Sequence, residues 1–452
     1  MAGTHARLSR RRLLELGAAV SAAVVLGGRD ALDSAAASVI GPAGGAHHGT
    51  PRQAPGSRTL YRHAAVADGR SAVLAQGQSL LVESGRISWV RPSDAEPDPG
   101  PTDGLEIVDV VGLTVVPGLV DAHCHLTSPG GAHYIERFLD PPRRLLKTAE
   151  RNGRLARRSG VAWLREVGSP TVVDPIDGRR RALALGIRDR WSGRADRPVV
   201  RAAGTWIAPP GGLQGGLGVV ASSADEMVTA AQVQLDQGAD LVKLYVEAGH
   251  GSRESPWTAD EIRRVVDAAH GRAVQVTAHA QWLGPARAAV AGGVDAIEHG
   301  FNLDAELCSD LAARGVYLVT TLSVPQSWLR IGATRSGTFW STRAGKRYAT
   351  NVLNQGLASA SLAQAAGVMI CAGTDFGGGS TRAGQLAREV ESLVRAGLEP
   401  WQALGAATWR GGELIGEAAA GRIIDGGPAD FFIVDGDPYS DPGALWNVRR
   451  LA

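Results

Sequence analysis

The sequence predicts an α/β fold, a (β/α)8 or TIM barrel, on two observations. Eight short apolar segments suit buried parallel strands, and they end near residues 125, 167, 204, 245, 279, 299, 320 and 375. Segments with the apolar period of a helix lie between most of them, such as residues 224–237, 258–270, 304–314 and 383–396. Eight alternating units of strand and helix favour a barrel, whose functional side chains gather at the strand ends.

The N-terminal residues have the layout of a twin-arginine export signal. Three consecutive arginines at 10–12 precede an apolar run over residues 16–26 and small residues at 35–37. The apolar run is too short for a permanent membrane-spanning helix. We therefore predict a signal peptide over residues 1–37, recognition by the twin-arginine export machinery, and a secreted or extracytoplasmic protein.

The rest of the chain divides into four segments. Residues 38–58, rich in Gly, Pro and Ala, predict a flexible linker. Short alternating segments over residues 59–116, and again over 421–434 within residues 416–452, predict groups of strands at both ends. These groups can complete one sheet only if the barrel segment, residues 117–415, brings both ends together. The sequence does not determine the oligomeric state, and a homo-oligomer is one possibility.

The charge balance excludes a general attraction to nucleic acid. Lys and Arg total 47 against 45 Asp and Glu, a formal charge of +2, so a small-molecule substrate is the expected partner. The three cysteines are odd in number and far apart, which excludes a disulfide framework. The chain has three lysines, and one of them, Lys243, lies within the apolar segment 239–246.

Histidines at predicted strand ends form a potential metal site. His123 and His125 lie two positions apart, so both side chains point to the same face of the first strand. His279 and His299 end the fifth and sixth strands, and Asp375 ends the eighth. A His-x-His pair is weak evidence alone, but all of these side chains meet at the same rim of a barrel. They supply N and O ligands for Zn²⁺ or a similar transition metal.

Lys243 adds a second kind of ligand to this rim. An unpaired ammonium in a buried strand costs free energy or loses its proton. A neutral lysine can react with carbon dioxide to give a carbamate, whose two oxygens can bridge two cations. Pairing with an acid from a neighbouring strand is the alternative.

Six segments together resemble the amidohydrolase superfamily. They are VVPGLVDAHCHL (115–126), GADLVKLYVEAG (238–249), VTAHA (276–280), AIEHG (296–300), AGTDF (372–376) and GGPADFFIVDGDP (426–438). The resemblance covers roughly residues 59–445 and is strongest to the imidazolonepropionase-related, metal-dependent prolidase-like branch. It implies a split β-sandwich from the two chain ends and a hydroxide between two metals. The implied ligands are His123, His125 and Asp375 on the more buried metal, His279 and His299 on the more exposed metal, and carboxylated Lys243 bridging both.

This centre suits hydrolysis of an amide bond, most plausibly in a dipeptide or an N-acyl amino acid. Two metals depress the pKa of a bridging water, and Asp375 takes its proton as general base and returns it to the leaving amine as general acid. The exposed metal holds the developing oxyanion.

Three other functions compete with amide hydrolysis. Lactone or phosphotriester hydrolysis uses the same binuclear centre and stays an alternative. Deamination at a mononuclear centre is disfavoured, because related deaminases place a glutamate shortly after the fifth-strand histidine, and Ala-Gln-Trp-Leu follows His279 here. A metal-binding protein without turnover is disfavoured, because no ligand position is missing.

Substrate contacts are expected from four residues. Tyr245, two positions after Lys243, should share its face and donate to a substrate carbonyl or carboxylate, with core packing as the alternative. His133 and Arg382 follow the first and eighth strands, over the mouth of the barrel, and an arginine can bind a carboxylate. Arg165, near the end of the second strand, faces either the barrel or the helices.

Overall fold

The computed structural model describes residues 56–213, 217–249 and 252–451. The predicted signal peptide and most of the predicted linker lie outside these residues. Within the described part of the chain, no helix is both long enough and apolar enough to span a membrane.

The described residues contain 19 strands. In chain order they are β1 (Arg58–Val66), β2 (Ala75–Glu83), β3 (Arg86–Pro92), β4 (Leu105–Asp109), β5 (Leu113–Pro117), β6 (Leu119–Cys124), β7 (Val161–Glu166), β8 (Thr171–Val173), β9 (Arg180–Ala182), β10 (Val199–Ala202), β11 (Ile207–Ala208), β12 (Val219–Val220), β13 (Leu241–Tyr245), β14 (Gln275–Ala280), β15 (Ala296–His299), β16 (Tyr317–Thr320), β17 (Ile370–Ala372), β18 (Phe431–Asp435) and β19 (Val448–Leu451).

Helices connect most of the central strands. In chain order they are α1 (Tyr134–Arg137), α2 (Pro142–Arg158), α3 (Leu183–Trp191), α4 (Ala224–Asp236), α5 (Ala259–His270), α6 (Leu283–Ala291), α7 (Ala305–Arg314), α8 (Ser323–Thr334), α9 (Arg343–Ala365), α10 (Leu386–Arg395), α11 (Pro400–Ala406) and α12 (Trp409–Leu414). Short 3-10 helices cover Ser93–Ala95, Phe339–Ser341 and Pro442–Trp446.

The eight predicted strands of the middle segment are β6, β7, β10 and β13 to β17. They lie in two parallel sheets, one ordered β10-β7-β6 and one ordered β12-β11-β13-β14-β15-β16-β17. These strands read as near-continuous apolar runs because helices cover parallel sheets on their faces. The α/β class predicted from the sequence is confirmed.

Strands from both chain ends meet in one further sheet. Its order is β19-β18-β5-β1-β2-β3, and β4 also pairs with β1. β18 runs antiparallel to β5, with Phe431 opposite Pro117. Both ends of the described chain therefore contribute to one sheet, as expected.

The number of strands within residues 421–434 differs from the prediction. Two strands were expected within residues 421–434, but β18 is the strand found there. Gly421 has a φ of 67°, and a Cβ on it would lie 2.3 Å from the backbone carbon of Thr408. Gly421 therefore lies in a tight, left-handed backbone position before β18, and β19 supplies the remaining C-terminal strand.

Helix starts follow from local hydrogen bonds. At α5, Thr258 Oγ1 accepts from the backbone N–H of Glu261, and the Glu261 carboxylate accepts from Thr258 in return. At α7, Asp304 accepts from Leu307. These caps satisfy donors that have no partner within the helix, so they set where each helix begins and how long its preceding loop is.

Candidate metal centre

The first and last central strands bring three potential ligands together. The backbone N–H of Asp375 donates to His123 O at 2.8 Å, and that of His125 donates to Phe376 O at 2.8 Å. These bonds place His123, His125 and Asp375 side by side, all buried. One donor atom from each residue lies within 4.8 Å of the others.

Hydrogen bonds select which imidazole nitrogens remain available at this group. His123 Nδ1 pairs with Glu298 Oε2 at 2.6 Å, and His125 Nδ1 donates to Gly168 O at 2.8 Å. The two Nε2 atoms lie 3.5 and 3.4 Å from Asp375 Oδ1. Among the described residues, His123 Nε2 and Asp375 Oδ1 are buried without a hydrogen-bond partner.

The other two histidines face each other beside this group. His279 Nδ1 lies 2.9 Å from His299 Nε2, and the His299 ring lies 4.8 Å from that of His123. The opposite nitrogens have other neighbours, since His299 Nδ1 pairs with Thr321 Oγ1 at 2.8 Å and His279 Nε2 lies 3.6 Å from a carboxylate oxygen of Glu247. In metal sites, the second nitrogen of a histidine ligand usually has such a partner.

Burial keeps two of these imidazoles, those of His125 and His299, neutral. It lowers the pKa of His125 to about 3, and it lowers the pKa of His299 well below its ordinary value, with a further contribution from His279. A neutral imidazole offers a lone pair, which is what a metal ligand needs.

Two of these residues have a left-handed backbone conformation, which residues other than glycine rarely adopt. His299 has a φ of 76° and Asp375 a φ of 49°. Non-glycine residues in the left-handed region cost about 1–3 kcal/mol and cluster at functional sites. His299 ends β15 and Asp375 lies three residues after β17, and the side chains of both residues join the cluster.

Lys243 lies in β13 with its side chain buried, and the residue is 1% exposed. Its Nζ has no hydrogen-bond partner among the described residues. Burial lowers the pKa of the ammonium to about 8, while the negative charges of Glu298 and Asp375 raise it. The ammonium of Lys243 therefore releases its proton more readily than an exposed lysine does, and its Nζ has no direct acidic partner among the described residues.

The structure also reveals a buried ionic network that the sequence did not predict. Glu298 is fully buried and accepts from His123, from Arg165 Nη1 at 2.6 Å and from Thr277 Oγ1. Burial alone would raise the pKa of Glu298, but the charges of Arg165, Lys243 and His123 lower it well below its ordinary value. The carboxylate is thus ionised and holds His123 in place.

Asp121 and Glu247 are further buried carboxylates missed from the sequence. Asp121 accepts from the backbone N–H of Thr374 at 2.9 Å and from its hydroxyl at 2.7 Å, one residue before Asp375. Glu247 accepts from the backbone N–H groups of Gln281 and Trp282, just after His279. For Asp121, an acid inside the apolar strand β6 was the available signal, whereas Glu247 follows β13.

The expected substrate contacts lie in different surroundings. Tyr245 stacks on the His279 ring with centroids 4.0 Å apart. Arg382 is exposed beside Gly131, in the loop that follows β6. His133 is exposed, with 74% of its side chain accessible, and lies 3.8 Å from Glu136. The expectation that Arg165 contacts substrate is corrected. Arg165 is 1% exposed and bound to Glu298, so it supports a candidate ligand instead of meeting substrate.

An α/β fold with buried histidines and carboxylates grouped at its strand ends is typical of a metal-dependent hydrolase. The chain belongs to the amidohydrolase family, whose model matches residues 114–451. The resemblance inferred from the sequence is confirmed.

Individual relatives are similar to this chain over most of its length. The chain is 28% identical over 337 residues to an uncharacterized protein of Mycobacterium tuberculosis, covering 74% of this chain and 82% of that one. It is 26% identical over 416 residues to the imidazolonepropionase of Anaeromyxobacter sp., covering 84% and 90%. A solved Xaa-Pro dipeptidase with methionine bound in its active site matches with a TM-score of 0.73 at 25% identity, covering 87% and 97%. The protein is therefore a hydrolase that acts on carbon–nitrogen bonds.

Proposed function

We propose that the protein hydrolyses the amide bond of a dipeptide or an N-acyl amino acid at a centre of two divalent metal ions, with Zn²⁺ as the first candidate. The observation that carries the proposal is the pairing of ring nitrogens. Each of the four histidines has one nitrogen beside a protein partner and the other directed into the cluster. This arrangement is typical of histidines that ligate a metal.

The proposed ligands divide between two metals of this kind. His123, His125 and Asp375 would hold one metal, and His279 with His299 would hold the other. Lys243, carboxylated on Nζ, would bridge them, which its buried and unpartnered amine supports. Adding carbon dioxide forms an N–C bond and releases one proton, and the resulting carbamate would supply a negative charge to the proposed metals.

The residues of the chain then divide the work. When bound, two divalent metals lower the pKa of a water to near neutrality and polarise the scissile carbonyl. Asp375 accepts the proton of the attacking water on its carboxylate and returns it to the leaving amine. Tyr245 donates its phenol proton in a hydrogen bond to the substrate. Arg382 and His133 are proposed as weaker contacts at the rim.

The surrounding architecture is part of the proposal. A closed (β/α)8 barrel over residues 117–415 is supported by isolated parallel bridges between the two parallel sheets, from Cys124 to Phe376 and from Ala203 to Leu241. A β-sandwich from residues 59–116 and 416–452 is supported by β1, which pairs with β2 on one edge and with β4 and β5 on the other.

Export through the twin-arginine route also stays a proposal, supported by arginines 10–12 and the apolar run that follows them. Cell fractionation of a variant with alanine at these three positions tests it. Unchanged export of that variant would reject the signal.

The decisive experiment combines metal content with a substrate panel. Elemental mass spectrometry on protein purified without chelator should find two metals per folded chain. Dipeptides and N-acyl amino acids should be cleaved by the wild type, and by the metal-loaded Asp375→Asn variant about 10²–10⁴-fold more slowly. One metal would reject the binuclear centre and favour deamination. Cleavage of lactones or phosphotriesters without any amide cleavage would reject the proposed substrate class.

A further inference from the structure

An apolar surface borders the candidate metal centre on one side. We call it the aromatic wall, and it consists of Phe138, Trp206, Leu213, Leu217 and Tyr245. Its members follow or end β6, β10 and β13, so they come from the same strand ends as the candidate ligands. The wall therefore lies on the face of the fold where the reaction is proposed to occur.

The wall contacts candidate ligands of both metals. The Trp206 and Phe138 rings lie 5.4 and 5.9 Å from the His125 ring, and they meet each other edge to face at 5.2 Å. Tyr245 stacks on His279 with ring centroids 4.0 Å apart. A substrate bound across the two metals would therefore lie against these rings.

The aromatic wall is buried to the same degree as the candidate ligands. Phe138, Trp206 and Leu217 are 5%, 3% and 7% exposed, against 4% for His125 and 6% for His279. The wall and the ligands therefore share one water-poor environment. None of the wall's five side chains carries a formal charge, so a charged group placed there would be desolvated without a partner.

We propose that the aromatic wall binds a large apolar, ring-bearing side chain of the substrate, so that the preferred substrates are amides of aromatic residues. This inference rests on the proposed amide hydrolysis and narrows its substrate class. A planar ring fits beside Trp206 and Phe138 in the stacked or edge-to-face arrangements that aromatic pairs prefer. Substrates with glycine or lysine at this position lack either the apolar area or a neutral side chain.

The kinetic test compares three matched substrates. The kcat/KM for N-acetyl-L-phenylalanine should exceed that for N-acetylglycine and N-acetyl-L-lysine by about 100-fold or more, since even one methylene in an apolar pocket is worth about 10–200-fold. Trp206→Leu should lower the ratio of kcat/KM for the phenylalanine substrate to kcat/KM for the glycine substrate about 10-fold or more, with both substrates measured on the same metal-loaded preparation. Trp446→Leu, at an indole 40% exposed elsewhere on the protein, is the matched control and should not change this ratio.

A binding measurement keeps the inference separate from turnover. 3-Phenylpropanoate and propanoate share the same carboxylate, so their affinities for the metal-loaded protein differ through the ring alone. Calorimetry should find the phenyl compound bound about 10-fold or more tightly, and Trp206→Leu should remove that difference. If Trp206→Leu does not fold, as judged by thermal melting and metal content, Phe138→Leu takes its place.

The possible outcomes distinguish the two proposals. Amide cleavage without a preference for the aromatic substrate overturns the proposed role of the aromatic wall and leaves the proposed amide hydrolysis intact. Absence of any amide cleavage, with tighter binding of 3-phenylpropanoate, overturns amide hydrolysis and supports the wall. Equal affinity for the two carboxylates overturns the wall whatever the activity.

Discussion

Glu298 links the buried cation Arg165 to the candidate metal ligand His123. Its carboxylate accepts from His123, Arg165 and Thr277, all of them buried. A carboxylate partner fixes the tautomer of a histidine ligand and raises its basicity. The position of His123 Nε2 therefore depends on a residue that meets neither substrate nor metal.

We expect Glu298→Gln to weaken metal binding about 10–100-fold, the usual effect of losing such a partner. The neutral amide leaves Arg165 as a buried cation without its counter-ion and no longer favours the required tautomer of His123. Metal titration of the apoprotein measures the effect. Thr277→Val removes one hydrogen bond without a change of charge and serves as the milder control. Equal metal affinity in the wild type and Glu298→Gln would contradict the role.

Arg382 tests recognition at the rim. We expect Arg382→Ala to raise KM for substrates with a free carboxylate and to leave kcat unchanged, because an exposed guanidinium beside Gly131 can bind that group before the chemical step. Steady-state kinetics on a substrate and its carboxyl-amidated analogue measure the difference. Arg395→Ala, at an exposed residue at the end of α10, is the control. An unchanged KM rejects the contact.

Among the elements, the loop after β17 passes unusually close to the candidate ligands. A Cβ on Gly378 would lie 1.8 Å from His125 Cδ2 and 2.3 Å from Asp375 Oδ1, whereas a Cβ on Gly379 would lie 3.0 Å from Val324. The glycines thus allow the backbone to approach both ligands, which explains the Gly-rich run from residue 377 to 379.

We expect Gly378→Ala to abolish metal binding, because the methyl group must displace His125 or Asp375. A Cβ on Gly379 would lie 3.0 Å from Val324 and 3.2 Å from Asp375 Oδ2, which small shifts can relieve, so Gly379→Ala should cost less. Metal content and thermal melting of both variants measure the order. Full metal occupancy in Gly378→Ala would show that the loop can move away without disturbing the ligands.

Glu389 joins two helices that follow neighbouring central strands. From α10 its carboxylate accepts from the backbone N–H groups of Leu322 and Ser323 at 2.8 and 2.7 Å, where α8 begins. Burial raises the pKa of this carboxyl from an ordinary 4.5 to about 7. The folded chain therefore keeps a proton that the unfolded chain releases between these two pH values.

The free energy of unfolding should consequently fall as pH rises from about 4.5 to about 7. The Glu389 contribution to this fall is about 3 kcal/mol at most, and it is absent in Glu389→Gln. Urea unfolding of both proteins at pH 5 and pH 8 gives the comparison. The stability of the wild type relative to the variant should be lower at pH 8, and a constant difference would contradict the raised pKa.

At the scale of the whole molecule, metal removal should destabilise the fold. The candidate ligands come from β6, β13, β14, β15 and the segment after β17, so bound metals would tie distant parts of the chain together. Each site contributes about 4 kcal/mol when free metal is a thousand times its dissociation constant. We expect dialysis against a chelator to lower the melting temperature and zinc to restore it. A melting temperature indifferent to metal would reject a structural contribution from the centre.

The sequence by itself determined the order of strands and helices and the side chains that end the strands. Apolar runs and helical periods are local signals, so the ends of β6, β13, β14 and β15 lie where they were predicted. His-x-His spacing placed His123 and His125 on one face for the same reason, because the geometry of a strand is set by neighbouring residues.

Only the tertiary structure decided which partners orient these side chains. Glu298 lies 175 positions from His123, and Arg165 lies 133 positions from Glu298. Whether Arg165 faces the centre or the helices depends on the register and twist of a sheet, and local pattern carries neither. The left-handed backbone at His299 and the close approach of Gly378 likewise arise from packing between distant segments. Long-range contacts therefore determine which histidine nitrogens remain available to a metal, because the hydrogen-bond partners of the other nitrogens become neighbours only in the folded chain.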